Sequence, residues 1–230
     1  SNMFTTCINL NKSGNSYGLN TSDDVVDPHM MKNTEWGAVA YLSKSKYGKE
    51  TEVWINPNSN CITGQAGNSA NASNTISTNV YNTINGMQAS TTGNVTGVYD
   101  MSGGVWEYVA AYIYNEDANL NNYGSALVNA DDKYKDVYSV GSSDTSENNY
   151  EVSTPSNGKY GDAIYETSSS VNSLTDSWYS DRSNFPTISY TFFMRGGELG
   201  LSSSAGIFGF NRVKGISGNI NSFRIVISIM

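Results

Sequence analysis

One histidine, two cysteines and one carboxylate inside an aromatic run are the residues with which this chain could do chemistry. His29 is the only histidine, so a Ser-His-Asp or Cys-His nucleophilic system would have to be built on it. It follows Asp27-Pro28 in a helix-entry context, and its expected role is structural, at the surface or a helix N-terminus. Cys7 and Cys61 are too few for a disulfide scaffold and, without histidines, for a four-ligand zinc site. A disulfide between them and two free thiols are both open. Glu107 lies in the run Val105-Trp106-Glu107-Tyr108-Val109. A buried carboxylate is seldom left unpaired, and no second titratable group accompanies this one in sequence, so a structural ion pair or backbone hydrogen bonds are favoured over acid–base work. No catalytic residue is assigned.

The elements that must position these residues can be read in order. Residues 1–28 are polar and turn-rich, with Ser1-Asn2 in the form of a tag scar and a stop at Asp23-Asp24…Asp27-Pro28. Asp27 as N-cap and Pro28 in the first turn predict a helix start. Met31, Trp36, Val39, Ala40 and Leu42 share one face of the helix predicted over Met30–Leu42. Lys46-Tyr47-Gly48 is its expected end, with glycine as the left-handed terminator. Thr51–Asn56 alternates as a short strand stopped by Asn56-Pro57-Asn58. Residues 57–97 are rich in Asn, Ser, Thr and Gly, and Ile76, Val80, Ile84 and Met87 recur at helical spacing, which predicts one short helix there.

From 113 to 190 the acids gather (Glu116, Asp117, Asp131, Asp132, Asp136, Asp144, Glu147) among Asn, Ser, Tyr and Gly. This reads as surface loops and short strands anchored by Tyr134, Tyr138, Tyr160 and Tyr165, with weak helix signals past residue 115. Oxygen-rich loops can hold structural calcium, although no stretch has the twelve-residue EF-hand pattern; no other cofactor and no metal site is assigned. The last forty residues change character twice. Phe192-Phe193-Met194-Arg195-Gly196-Gly197 and the closing Phe223, Ile225, Ile227, Ile229 alternation read as stiff strands. Between them lies a loose, mixed surface, the arrangement by which a scaffold presents a binding site. Arg195 and Arg224 sit in apolar strand contexts, where an isolated charge is costly. At least one is expected to pair with Glu107 or to cap backbone carbonyls, and neither is expected in the binding site.

Composition bounds the classes. At 230 residues, one large or two small domains fit the length, and 38% hydrophobic residues suffice for a core. A net charge of −8 speaks against nucleic acid, whose binding leaves a basic footprint. No run reaches the length of a membrane span, so no direct membrane insertion is expected, although a trimmed leader or anchor would leave no trace. The expected class is α+β, with few helices, twisted antiparallel strands and much irregular structure.

Three motifs in order carry a resemblance. Gly97-Val98-Tyr99-Asp100-Met101-Ser102-Gly103-Gly104-Val105-Trp106-Glu107-Tyr108-Val109, then Met194-Arg195-Gly196-Gly197, then Ser222-Phe223-Arg224-Ile225-Val226 resemble the formylglycine-generating-enzyme branch of the C-type lectin fold. With the helix around Trp36 the likeness spans roughly residues 30–230. Within that fold the chain is most similar to the variable proteins of diversity-generating retroelements from gut Firmicutes and their phages; His29–Leu42 and Ala205–Phe208 are similar to that group too. The resemblance implies a single C-type lectin-like domain over 1–230, with 1–28 an N-terminal segment following a removed anchor helix and 195–228 a variable region. It implies ligand-binding side chains at Leu199, Leu201, Ser203, Asn211, Arg212, Val213, Lys214, Ile216, Ser217, Asn219, Ile220 and Asn221. The enzymes of that branch hold copper with a cysteine pair near the C-terminus, and this chain has no cysteine after Cys61. Gly104 stands where the motif has asparagine, which speaks against a polar or metal site there, and Tyr108 stands where it has a second tryptophan, a tolerable swap of one aromatic for another.

The expected function is therefore a non-catalytic, receptor- or adhesin-like binding protein, extracellular, at a cell surface or on a virion tail. Its expected ligand is a protein or glycan on a cell or phage-host surface. The alternatives are a structural or tip subunit of a phage tail or pilus without diversification, and, further off, a formylglycine-generating-type oxidase.

Overall fold

The aromatic run beginning at Trp106 forms a strand covered on both faces, and the other elements are arranged around it. The computed structural model describes residues 2–15, 19, 25–139, 160–170 and 172–229; Ser1, Asp23, Asp24, Asp144, Glu147 and Met230 lie outside them. Among the described residues the order is α1 (Asn2–Ile8), β1 (Val26–Met30), α2 (Asn33–Lys44), β2 (Gln65–Ala66), β3 (Asn79–Val80), β4 (Trp106–Tyr114), α3 (Ala118–Val128), β5 (Asp136–Ser139), β6 (Asn172–Ser173), β7 (Ser183–Asn184), β8 (Phe192–Gly196), β9 (Gly206–Val213), β10 (Asn221–Phe223) and β11 (Ile225–Ile229). This is a mixed α+β chain in which most strands are short.

Seven strands form one sheet in the order β10-β4-β8-β9-β7-β6, with β5 on the far half of β4. β10 and β5 run parallel to β4, and β8 runs antiparallel. The three sequence motifs are therefore neighbouring strands. Successive side chains along a strand point to opposite faces, and both faces here are apolar. Val109, Ala111, Ile113, Phe193 and Phe208 join Trp36 of α2 on one side. Trp106, Tyr108, Ala110, Tyr112, Phe192 and Met194 join Phe4 of α1 and Leu120 and Leu127 of α3 on the other. β4 is buried from Trp106 to Ile113, and it reads as a continuous apolar run because neither face meets water.

Several expectations from sequence give way to tertiary pairing. Asp27 and Pro28 do not start a helix: both lie in β1, where Pro28 faces Ile227 of β11. A two-stranded ribbon tolerates a proline whose missing N–H no second neighbour needs. Helix α2 begins after Lys32, whose N–H donates to Glu35 Oε2 at 2.8 Å. It ends at Lys44, and Ser45 continues extended at φ −77° and ψ 166°, so Gly48 does not terminate it. Residues 51–56 form no strand; their regular pairing is one bridge, Asn56 to Gly103. The helix predicted across Ile76–Met87 is absent, and that stretch holds only β3 and the start of a 3-10 turn over Gly86–Ala89. Ile76 and Ile84 are 72% and 80% exposed, so their spacing served no core.

Conversely α3 forms where helix signals were weak, capped by Asp117, which accepts from Asn119 N–H at 2.8 Å. Tyr138 is buried, and Tyr134 and Tyr165 pack at the core edges, but Tyr160 is 77% exposed and anchors nothing. The alternating C-terminal run divides at Arg224 into β10 and β11. Ile227 and Ile229 remain exposed, because β11 leaves the large sheet to pair with β1.

Candidate binding surface

The segment between β8 and β10 is held from both ends. At its start Arg195 is fully buried and its guanidinium stacks on Trp36, 5.6 Å from the ring centroid. It donates to Gly209 O at 3.1 Å, Asp162 O at 2.9 Å, Ala163 O at 3.2 Å and Asn33 Oδ1 at 3.3 Å. Four acceptors compensate for the water this cation has lost. Burial still pulls its pKa down, to about 10, which leaves it charged at neutral pH. Gly196 and Gly197 follow at φ 84° and 80°, left-handed conformations that glycine adopts without strain. A Cβ on Gly197 would stand 2.7 Å from Ala205. Arg-Gly-Gly is thus an anchor followed by a turn.

At the other end Arg224 meets Glu107, Nη2 to Oε1 at 2.6 Å and Nε to Oε2 at 3.0 Å, a two-point ion pair. Arg224 Nη2 also donates to Tyr99 O at 3.1 Å. The two arginines therefore take the two expected roles, one each. Burial raises the Glu107 pKa to about 7, opposed by the guanidinium and reinforced by the Asp100 carboxylate. Glu107 faces its arginine.

Of the twelve candidate residues, Leu199, Leu201 and Ser203 follow the glycine turn. Leu199 N–H donates to Gly104 O at 3.0 Å, so residue 104 acts through its backbone. Leu201 is half-buried against the cluster beneath α1 and α3, and Ser203 is exposed on a 3-10 turn. Asn211, Arg212 and Val213 end β9, opposite Met194, Phe193 and Phe192, and are half-buried. Val213 packs into the core. Ile216, Ser217, Asn219 and Ile220 are exposed on the return to β10, where Asn221 is half-buried and Ile220 O accepts from Trp106 N–H at 2.9 Å.

These residues are spread along the sheet. Val213 lies opposite Phe192, and Phe192 opposite Tyr112, whereas Leu199 and Ile220 flank residues 104–106. Six residues of strand separate the two ends, about 20 Å. The segment 214–220 connects them by crossing in front of Tyr108, whose hydroxyl donates to Ile216 O at 2.9 Å. One group is thus Leu199, Leu201, Ser203, Asn219, Ile220 and Asn221. The other is Arg212 to Lys214; Asn211, opposite Met194 and through it Tyr108, lies between the two, and Ile216 and Ser217 bridge them. At the far end Lys214 Nζ is 5.0 Å and Arg212 Cζ 5.9 Å from the Tyr190 ring centroid. Tyr190 is 42% exposed and Ile188 beside it 43%. Sequence reasoning missed this tyrosine, which lies outside every motif; an aromatic within two strands' reach of Arg212 and Lys214 is the only signal it leaves.

The remaining reactive residues are occupied structurally. His29 is buried in β1 rather than at the surface or a helix N-terminus, and its Nε2 meets Glu35 Oε1 at 2.8 Å. Burial lowers its pKa, but the hydrogen bond and charge of Glu35 outweigh this and leave it above the ordinary value. Cys7 is buried, Cys61 exposed, and both are free thiols. Among the described residues no three of His, Cys, Asp and Glu cluster to hold a metal ion, and no helix is long and apolar enough to cross a membrane. No protein-family model matches the chain, and no curated protein matches it.

Proposed function

We propose that the chain is a non-catalytic binding protein with a C-type lectin-like fold of the formylglycine-generating-enzyme type, most similar to the variable proteins of diversity-generating retroelements. On this reading it acts outside the cell or on a virion, and residues 199–221 meet a protein or glycan ligand. The observation that carries the proposal is the division of labour around that segment. Its flanks are fixed by a fully buried arginine with four acceptors and by a two-point ion pair, while Ser203, Ile216, Ser217, Asn219 and Ile220 stand exposed between them. Side chains so placed can change without cost to the core. Leucine and isoleucine supply apolar contact, and Asn and Ser adaptable hydrogen bonding, as in other diversified binders.

The test lies in the neighbouring DNA and in binding. A reverse-transcriptase gene is expected nearby, with a near-copy of the 195–228 coding segment differing mainly at adenines. Its absence would remove diversification from the proposal. In the protein, combined alanine replacement of Ser203, Ile216, Asn219 and Ile220 should abolish ligand binding with the melting temperature nearly unchanged; loss of folding instead would refute the division of labour.

A further inference from the structure

On the face of the sheet that carries α1 and α3, a half-open cavity of about 350 Å³ lies behind the 215–217 turn. We propose that it is a binding site for a small, uncharged, mainly apolar molecule, an alkyl chain or aromatic ring bearing one hydrogen-bonding group such as a hydroxyl. The site goes beyond the surface reading: it shares only Ile216 and Ser217 with the candidate residues and requires no macromolecular ligand.

Size and lining carry the inference. Native interiors leave few voids larger than a water molecule, and this volume falls within the range of sites that enclose small ligands. The walls are built from Phe4, Met30, Tyr108, Leu127, Phe192 and Ile216. None of the lining residues is Asp, Glu, Lys, Arg or His, in a chain with 34 such acids and bases apart from its one histidine. A charged ligand would lose its water here and find no counter-charge. An uncharged one loses little and gains apolar contact. Met3 and Met30 add flexible, polarisable walls that adapt to more than one shape.

Polar groups are few, and they sit where they can orient a ligand. Asn2, Asn122 and Ser217 supply donors and acceptors among the lining residues. The Tyr108 hydroxyl already donates to Ile216 O at 2.9 Å, so toward the cavity it can only accept, which suits a ligand hydroxyl. The turn is held close to α3 by two glycines. A Cβ on Gly215, at φ 97°, would stand 2.5 Å from Tyr123 Cβ, and one on Gly124 2.4 Å from Phe192 Cζ. The Phe192 ring is wedged between them, which fixes the back wall and keeps the cavity from filling with that ring.

Titration of the full chain with 1-octanol, octanoate and octylammonium, followed by calorimetry or by NMR shifts, tests the proposal. Saturable one-to-one binding of 1-octanol is expected, with both charged analogues weaker by about ten-fold or more. Leu127→Trp, which fills the cavity from α3, should abolish octanol binding. Ile216→Trp at the exposed rim should weaken it at least about ten-fold while leaving the melting temperature unchanged, so the test survives if the buried variant fails to fold. The inference is overturned if octanol binds without saturation or not at all, if octanoate binds as tightly, or if Ile216→Trp binds like the parent chain. No macromolecule enters this experiment, so its failure leaves the surface reading standing, and the converse also holds.

Discussion

Two loop-bearing segments of this chain, 57–99 and 199–221, are stabilised differently, and only the second has a long strand, β9, at its centre. In the first, polar side chains bond to nearby backbone and to one another. Asn58 Oδ1 accepts from Asn60 N–H and its amide donates to Thr78 Oγ1, which donates to Gln65. Asn79 donates to Gly67 O, and just before the segment Asn56 joins Ile62 O, Asp100 Oδ1 and Asn58 N–H. In the second, the ends are held by Arg195 and by the Arg224–Glu107 pair. Among the described residues Ser203, Ser217 and Asn219 make no side-chain hydrogen bond within the protein. Asparagine and serine bonded to their own loop give it a shape; left free, they are available to a ligand. A hydrogen bond joins the two segments, from Ser202 Oγ to Asn71 O at 2.9 Å.

Substitutions separate the supports of the two segments. The largest effect is expected for Arg195→Leu, which leaves four acceptors buried without a donor and should cost about 3–5 kcal/mol in urea denaturation. A loss below about 1 kcal/mol would mean that the anchor does not hold the second segment. Asn56→Ala removes three hydrogen bonds at a 1% exposed site and should cost about 2–4 kcal/mol, with the damage confined to 57–99 in amide exchange. Protection lost first in 199–221 would show that the segments are one unit.

A third test uses pH. The Glu107 pKa is about 7 in the folded chain against an ordinary 4.5, so the folded state holds this proton more tightly than the unfolded one. The contribution of this proton to stability is greatest below pH 4.5 and declines as pH rises to 7. Glu107→Gln should flatten the denaturation midpoint between pH 5 and 7; an unchanged slope would show that burial does not govern this carboxylate. The smallest effects belong to Asn219→Ala and Ser203→Ala, each expected within about 0.5 kcal/mol of the parent. Either one destabilising by as much as Asn56→Ala would erase the contrast.

Local signals in the sequence succeeded where burial is two-sided or a charge had to be matched. The apolar run after Trp106 could be read as a strand because both its faces are covered. Arg195, Arg224 and Glu107 could be read as charges that must find partners, because an unpaired charge in such surroundings is too costly to persist. Periodicity failed where water, rather than a core, took the apolar positions, as at Ile76 and Ile84; at Ile227 it found the strand but not the face that is buried. It also missed α3, whose face became apolar only against Phe192 and α1.

The twelve candidate residues were legible only as a stretch of chain between two stiff ends. Their spread along the sheet, with Val213 and Ile220 about 20 Å apart, followed from β9 running antiparallel to β8 and the chain then returning to β4. Tyr190 joined Arg212 and Lys214 for the same reason. Sequence by itself determined the α+β class, the central strand and the buried charges, because each is fixed by the immediate cost of exposing or stranding a group. The tertiary structure alone decided which exposed side chains share a surface and where a cavity remains. Both depend on strand register and on how closely Gly124 and Gly215 let helix and turn approach, and neither leaves a pattern along the chain.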